Sequence, residues 1–260
     1  MDLTRLQRVW NSLGETEPFW AVITESSSLS TSADFKNERF YQSGVDEIKA
    51  VSDYLTSLGL TLQGKRALDF GCGVGRLTQA LAPYFDRVDG VDIAASMVET
   101  ARQHNVHGDQ CVYHVNTADN LAIFPEAAFD FIYSNITLQH MEPQYALKYV
   151  QEFLRLLKPG GIALFQIPCH RKSLSGKVKQ LIRRTLPQPL YTLYVDLKFR
   201  LSGLSDSLSL MEMYGIPQKE VTAWITGNGG SLIGRQEDAY AGSDWVSFRY
   251  CVVKLPAGVN

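Results

Sequence analysis

Ala67-Leu-Asp-Phe-Gly-Cys-Gly-Val-Gly75 decides the fold of this 260-residue chain. A short apolar strand runs into glycines at 71, 73 and 75, then straight into a helical pattern carried by Leu77, Leu81 and Phe85. Glycine tolerates positive φ and has no Cβ, so such a turn can lie against a small anionic or zwitterionic ligand, with the N–H groups of the next helix facing it. Arg87-Val-Asp-Gly-Val-Asp92 reads as the following strand and ends in an acid 21 residues after Gly71. In nucleotide-binding α/β folds an acid at this spacing accepts both hydroxyls of a ribose. The glycine spacing is G-x-G-x-G followed by Arg76, not the G-x-G-x-x-G of dinucleotide folds, and no P-loop lysine follows.

Outward from this unit, apolar runs near 66–70, 87–91, 110–115, 129–134 and 161–167 read as strands and alternate with helical patterns, as in a parallel sheet with helices on both faces. The helix beyond Pro143 runs through Leu147, Val150, Phe153, Leu154 and Leu157 and stops at Lys158-Pro-Gly-Gly161. Residues 217–228 read as a helix, and 231–237 and 245–254 as a closing pair of strands. Ahead of the glycine unit, Val45, Ile48, Val51, Tyr54 and Leu55 mark a helix ending near Gly59, and the serine-rich residues 24–34 read as a loop. Leu3, Leu6, Val9 and Trp10 form an apolar helical face, separated by Gly-Glu-Thr-Glu-Pro from Phe19 to Ile23.

The segment Leu68-Asp-Phe-Gly-Cys-Gly-Val-Gly-Arg76, with Asp69 two residues ahead of the first glycine, resembles motif I of the class I S-adenosylmethionine-dependent methyltransferases. The resemblance implies a Rossmann-like, doubly wound, mostly parallel seven-stranded sheet with one antiparallel strand. It implies S-adenosyl-L-methionine as cofactor, with the loop against its methionine part and the acid ending the second strand on its ribose. The implied cofactor-binding set is Asp69, Gly71, Cys72, Gly73, Gly75, Arg76, Asp92, Ile93 and Met97, then Thr117, Ala118 and Asp119, and Asn135. Asn116-Thr-Ala-Asp-Asn-Leu121 departs from the family's Gly-Asp-Ala, with Thr117 at the aligned acid, so the adenine contact is shared among Thr117, the Ala118 backbone and Asp119. A turn or helix cap is an equal reading of Asp119. Tyr133-Ser-Asn-Ile-Thr-Leu-Gln-His140 resembles the loop that passes under the methionine moiety into the substrate site. His140 titrates near neutral pH and is the candidate general base; a histidine that bonds backbone at a helix entry is the bland alternative. Phe40, Tyr41, Ser43 and Gly44 lie where family members close over the cofactor, or serve ordinary helix packing.

Three segments follow: a helical cover and loop over 1–44, the methyltransferase domain over 45–168 and 216–260, and a helical cap inserted over 169–215. The cap holds eight Lys and Arg against three Asp and Glu, so it carries +5 and the remainder −7 of the net −2. Its basic and aromatic residues suit an acceptor with negative charge or a long apolar group, a membrane surface, or only solvent.

A pI near 6.2 gives no basic field, which disfavours nucleic acid as a partner. Cys72, Cys111, Cys169 and Cys251 form no C-x-x-C pair, so neither zinc nor a disulfide framework is expected. Cys72 satisfies the loop's need for a small side chain. No leader pattern or membrane span is read, so a cytoplasmic location is expected, and the sequon Asn135-Ile-Thr137 is chance there. The leading expectation is methyl transfer to a small molecule, at oxygen. The alternatives are a peripheral-membrane lipid or quinone methyltransferase, a non-catalytic cofactor-binding regulator, and a nicotinamide dehydrogenase, the last disfavoured by the glycine spacing.

Overall fold

The computed structural model describes residues 3–22, 33–173 and 212–256. Helices α1 (Leu3–Thr16), α2 (Pro18–Val22) and α3 (Ala33–Ser57) precede strand β1 (Gly64–Phe70). Then come α4 (Arg76–Leu81), β2 (Phe85–Asp92), α5 (Ala95–Gln103), β3 (Cys111–Val115), β4 (Phe129–Ser134), α6 (Pro143–Leu156) and β5 (Leu157–Arg171). Helix α7 (Gln218–Gly227) and strands β6 (Gly230–Asp238) and β7 (Trp245–Lys254) close the described chain.

The seven strands form one sheet in the order β3-β2-β1-β4-β5-β7-β6. All neighbours pair parallel except β7, which runs antiparallel to both β5 and β6. This is the expected doubly wound sheet with one reversed strand. Because helices cover both faces, the central strands are buried on both sides and read as near-continuous apolar runs. Leu68, Val91, Ile132 and Phe165 pack with α6 and α7 on one face. Ala67, Val88, Phe131 and Leu164 pack with Ile48, Val51 and Leu55 of α3 on the other.

Several boundaries move. Helix α3 starts at Ala33, so the expected limit between residues 44 and 45 falls inside a helix. At Gly44 α3 crosses α4 so closely that a Cβ would lie 2.7 Å from the Arg76 carbonyl oxygen. Helix α1 continues through Gly14 to Thr16, because Gly14 sits against Ser96 of α5 and gains packing there. Phe85 starts β2 and does not continue the helix: Pro83 tightens the chain into a 3-10 turn at Ala82–Tyr84. Strand β5 is longer than expected, with His170 and Arg171 still paired to Val246 and Trp245. Residues 169–171 of the expected cap thus belong to β5; residues 174–211 of it lie outside the described residues, as does most of the expected loop over 24–34. Residues 212–217 return along the sheet, Tyr214 N–H donating to the Gln139 carbonyl and Ile216 N–H to that of Pro168.

Candidate functional site

Open α/β sheets bind ligands beyond the carboxyl ends of their strands, at the switch in strand order. Here the switch lies between β1 and β4, and a cleft opens there. Its floor is Phe70, Gly71, Gly73, Val91 and Asp92 from the ends of β1 and β2. Ile93 and Met97 form one wall; Asn135, Ile136, Thr137, His140 and Met141 from the loop after β4 form the other. Leu3, Leu6 and Trp10 of α1, with Ala21 and Val22 of α2, cover it.

The glycine loop turns as its sequence requires, with φ of 78° at Gly71, 51° at Gly73 and 82° at Gly75. A Cβ at Gly71 would collide with the Thr137 side chain, so glycine lets this loop touch the loop after β4. The loop's own amides are engaged within the protein: Gly71 and Cys72 donate to the Val91 carbonyl, Gly75 to that of Cys72, and Gly73 to Asp92 Oδ2 at 2.9 Å. The loop thus offers a close backbone surface more than a row of donors.

Asp92 sits where the ribose acid should. Oδ2 takes Gly73 N–H and Oδ1 takes Ala94 N–H, each at 2.9 Å. Two bonds leave lone pairs on both oxygens, enough for two hydroxyls. Burial raises its carboxyl above the usual range, and the N–H groups of Ala94 and Gly73 pull it back. The half-buried carboxylate, the apolar Ile93 and Met97 beside it, and the close floor fit a nucleoside with a short amino-acid tail.

Other expected contacts lie elsewhere. Asp69 points into the α3 face, where Oδ2 accepts the Thr78 hydroxyl at 2.7 Å; burial pushes its carboxyl up to about 7. Cys72 packs in the same core, and burial pushes its thiol well up, which removes it as a nucleophile. Arg76 does not line the cleft: it is buried and paired with Glu47 of α3 at 2.7 Å. Thr117 and Ala118 are exposed, and Asp119 pairs with Lys148 of α6, which holds its carboxyl below the usual range. From that segment Asn116 reaches the cleft.

His140 does line the cleft, edge-on to Trp10 with ring centroids 5.3 Å apart. Nδ1 lies 3.1 Å from the Glu212 carbonyl oxygen and must donate to it, which leaves Nε2 to accept from the Gln139 amide at 3.1 Å. Burial lowers the ring's pKa to about 4, the Glu212 bond opposing it. The imidazole is held neutral with its lone pair engaged.

Sequence reasoning missed Ile136 and Glu47. Ile136 has φ of 59°, a conformation costing a β-branched residue about 1–3 kcal/mol and found where surroundings over-determine it. Its N–H donates to Gln166 Oε1 at 3.3 Å. Glu47 accepts Tyr133 Oη and Asn135 Nδ2, each at 2.7 Å on Oε1, and Arg76 on Oε2. No local spacing signals either, since both depend on contacts distant in sequence.

A family model described as "Methyltransferase domain" matches residues 68–165, from β1 to β5. Over that stretch the chain matches a methyltransferase domain. Among curated proteins, the ubiquinone biosynthesis O-methyltransferase of Xanthomonas oryzae pv. oryzae is 36% identical over 110 residues, 42% of this chain and 45% of that protein. The wheat phosphoethanolamine N-methyltransferase is 33% identical over 124 residues, 47% of this chain and 24% of that protein. The matches therefore span less than half of these relatives' own lengths. Among solved structures, the magnesium protoporphyrin IX methyltransferase of Synechocystis PCC 6803 with bound SAH superposes with TM-score 0.63 at 19% identity, covering 98% of this chain and 100% of that one, a likeness of fold. The methyltransferase domain accounts for the glycine loop, Asp92 and the loop after β4 together.

Proposed function

We propose that this chain moves a methyl group from S-adenosylmethionine to a small-molecule acceptor, with oxygen as the receiving atom. The observation that carries this reading is the covered cleft whose floor joins the glycine loop to the Asp92 carboxylate. The cofactor, when bound, supplies a methyl already activated on a sulfonium. The residues hold and shield. Asp92 takes the ribose hydroxyls, Ile93 and Met97 the base, and Gly71 and Gly73 the amino-acid tail, with Asn135 beside it. The cover from α1 and α2 excludes water, and orientation alone supplies roughly 7–11 kcal/mol of barrier reduction in well-aligned systems. His140 is the cleft's imidazole, and it takes the acceptor's proton only once Gln139 releases Nε2.

Relatives named for ubiquinone biosynthesis O-methylation support oxygen. Among the described residues lining the cleft there is no Lys or Arg, so a wholly anionic acceptor has no support there. Leu3, Leu6, Trp10, Ile136 and Met141 favour an apolar one. That wall also favours a second reading, a quinone-like acceptor drawn from a membrane surface, and liposome flotation distinguishes it from a freely soluble acceptor.

The test is calorimetry with S-adenosylhomocysteine followed by transfer of labelled methyl into a metabolite extract. Binding with transfer is expected. Tight binding with no transfer would make the chain a cofactor-binding regulator, and NAD binding without S-adenosylhomocysteine binding would overturn the reading.

A further inference from the structure

We propose that Glu47, on a helix before the glycine loop, is a positioning residue that clamps the two ligand loops together and holds the one after β4 in its strained form. The proposal rests on the cofactor reading above. One carboxylate, itself buried, serves both loops. Oε2 holds Arg76, the first residue of α4 and the immediate successor of Gly75, at 2.7 Å. Oε1 holds Tyr133 Oη near the end of β4 and Asn135 Nδ2 in the loop beyond, both at 2.7 Å.

The chemistry of the group fixes the direction of these bonds. A carboxylate paired with a guanidinium accepts only, so Asn135 must present its NH₂ to Glu47, and its Oδ1 is left without a partner. The next residue is Ile136 at φ 59°, whose N–H is taken from the opposite side by Gln166 Oε1. Thr137 follows, in the space a Cβ of Gly71 would occupy. Asn135, Ile136 and Thr137 are thus each tied to a different element: α3, β5 and the glycine loop. A β-branched residue does not rest in the left-handed region unaided, and Glu47 supplies the tie on its N-terminal side. All three of these residues line the cleft. Glu47 itself lies outside the residues lining it, so any effect on ligand binding must travel through the loops.

The probe is S-adenosylhomocysteine, measured by calorimetry, with thermal melting alongside. Glu47→Leu removes both acceptor oxygens but strands the Arg76 charge, so the measured variant is the pair Glu47→Leu with Arg76→Met, which buries no unpaired charge. We expect this pair to melt close to the parent while binding at least tenfold more weakly. Parent-like affinity at parent-like melting would overturn the proposal, because Glu47 would then serve only to neutralise Arg76. Should the pair melt far below the parent, the cycle with Ile136→Gly decides, read as affinity among folded molecules. Glycine needs no clamp at φ 59°, so Glu47→Leu should cost less affinity in the Ile136→Gly background than in the parent. Equal costs in both backgrounds would overturn the proposal. If the parent itself binds no S-adenosylhomocysteine, the functional reading falls and this one with it.

Discussion

Asp69, near the end of β1, and Asp92, at the end of β2, are acids on neighbouring strands, and strand geometry gives them opposite work. Side chains alternate across a strand, so Asp69 joins Ala67 on the α3 face while Phe70 reaches the cleft. Asp92, at the end of β2, is met by backbone donors and stays half open. Asp92→Ala is expected to weaken S-adenosylhomocysteine binding about ten- to hundredfold, the worth of charge-assisted bonds, as read by calorimetry. For Asp69 the sign is different. With a folded pKa near 7 against about 3.9 unfolded, the folded state keeps its proton longer, so stability declines as pH rises from about 4 to about 7. Asn accepts the Thr78 hydroxyl without titrating. Asp69→Asn should therefore melt higher than the parent at pH 8, with the gap closing toward pH 4; a lower melting point at pH 8 would mean the ionised carboxylate is needed. His140 runs the other way: its folded pKa near 4 lies below the unfolded value, so stability is lost as pH falls from about 6.5 to about 4. His140→Ala should reduce turnover far more than S-adenosylhomocysteine affinity, and unchanged turnover would remove His140 from proton transfer. That Gly71, Gly73 and Asp92 would meet in one cleft was legible because their signal is local spacing; Gly75 is not among the residues lining it. Arg76 and Cys72 were not legible, because nearness in sequence to a binding loop says nothing about which face a side chain takes.

At the scale of elements, strands and helices of the sheet were legible to within a few residues, since each carries its own apolar period. The errors fall where tertiary contact overrides local pattern: α3 extends beyond its apolar stripe, and β5 runs on because β7 is there to pair with it. The cover over the cleft was legible as an apolar face but not as a cover. Its docking is concrete. Asn11 of α1 accepts from Ser96, whose hydroxyl donates to the Asn11 carbonyl at 2.9 Å. Phe19 of α2 sits edge-on to Phe40 and His104, with centroids 5.1 Å and 5.3 Å apart. Phe19→Ala should loosen this docking by about 1–3 kcal/mol. Amide exchange should then speed up across α1 and α2 while the sheet stays protected; unchanged exchange would show that Phe19 does not hold the cover.

For the whole molecule, the alternation of strand and helix fixed the architecture because each parallel crossover needs its helix, and the match from β1 to β5 covers that alternation. What selects the acceptor was far less legible. The basic segment has no motif, and within the described residues the cleft draws its acceptor-side wall from α1 and from the loop after β4, about 130 residues apart in sequence. No described helix is long and apolar enough to cross a membrane. Strand β6 hydrogen-bonds only to β7, and β7 lies between it and β5. During synthesis β6 therefore emerges with no partner among the strands before it, and the outer edge of β5 stays open until β7 slides between them. The join of β5 to β6 is therefore made from within the sheet, and a chain cut short before Trp245 leaves the outer edge of β5 open and β6 without its partner, a template for aggregation.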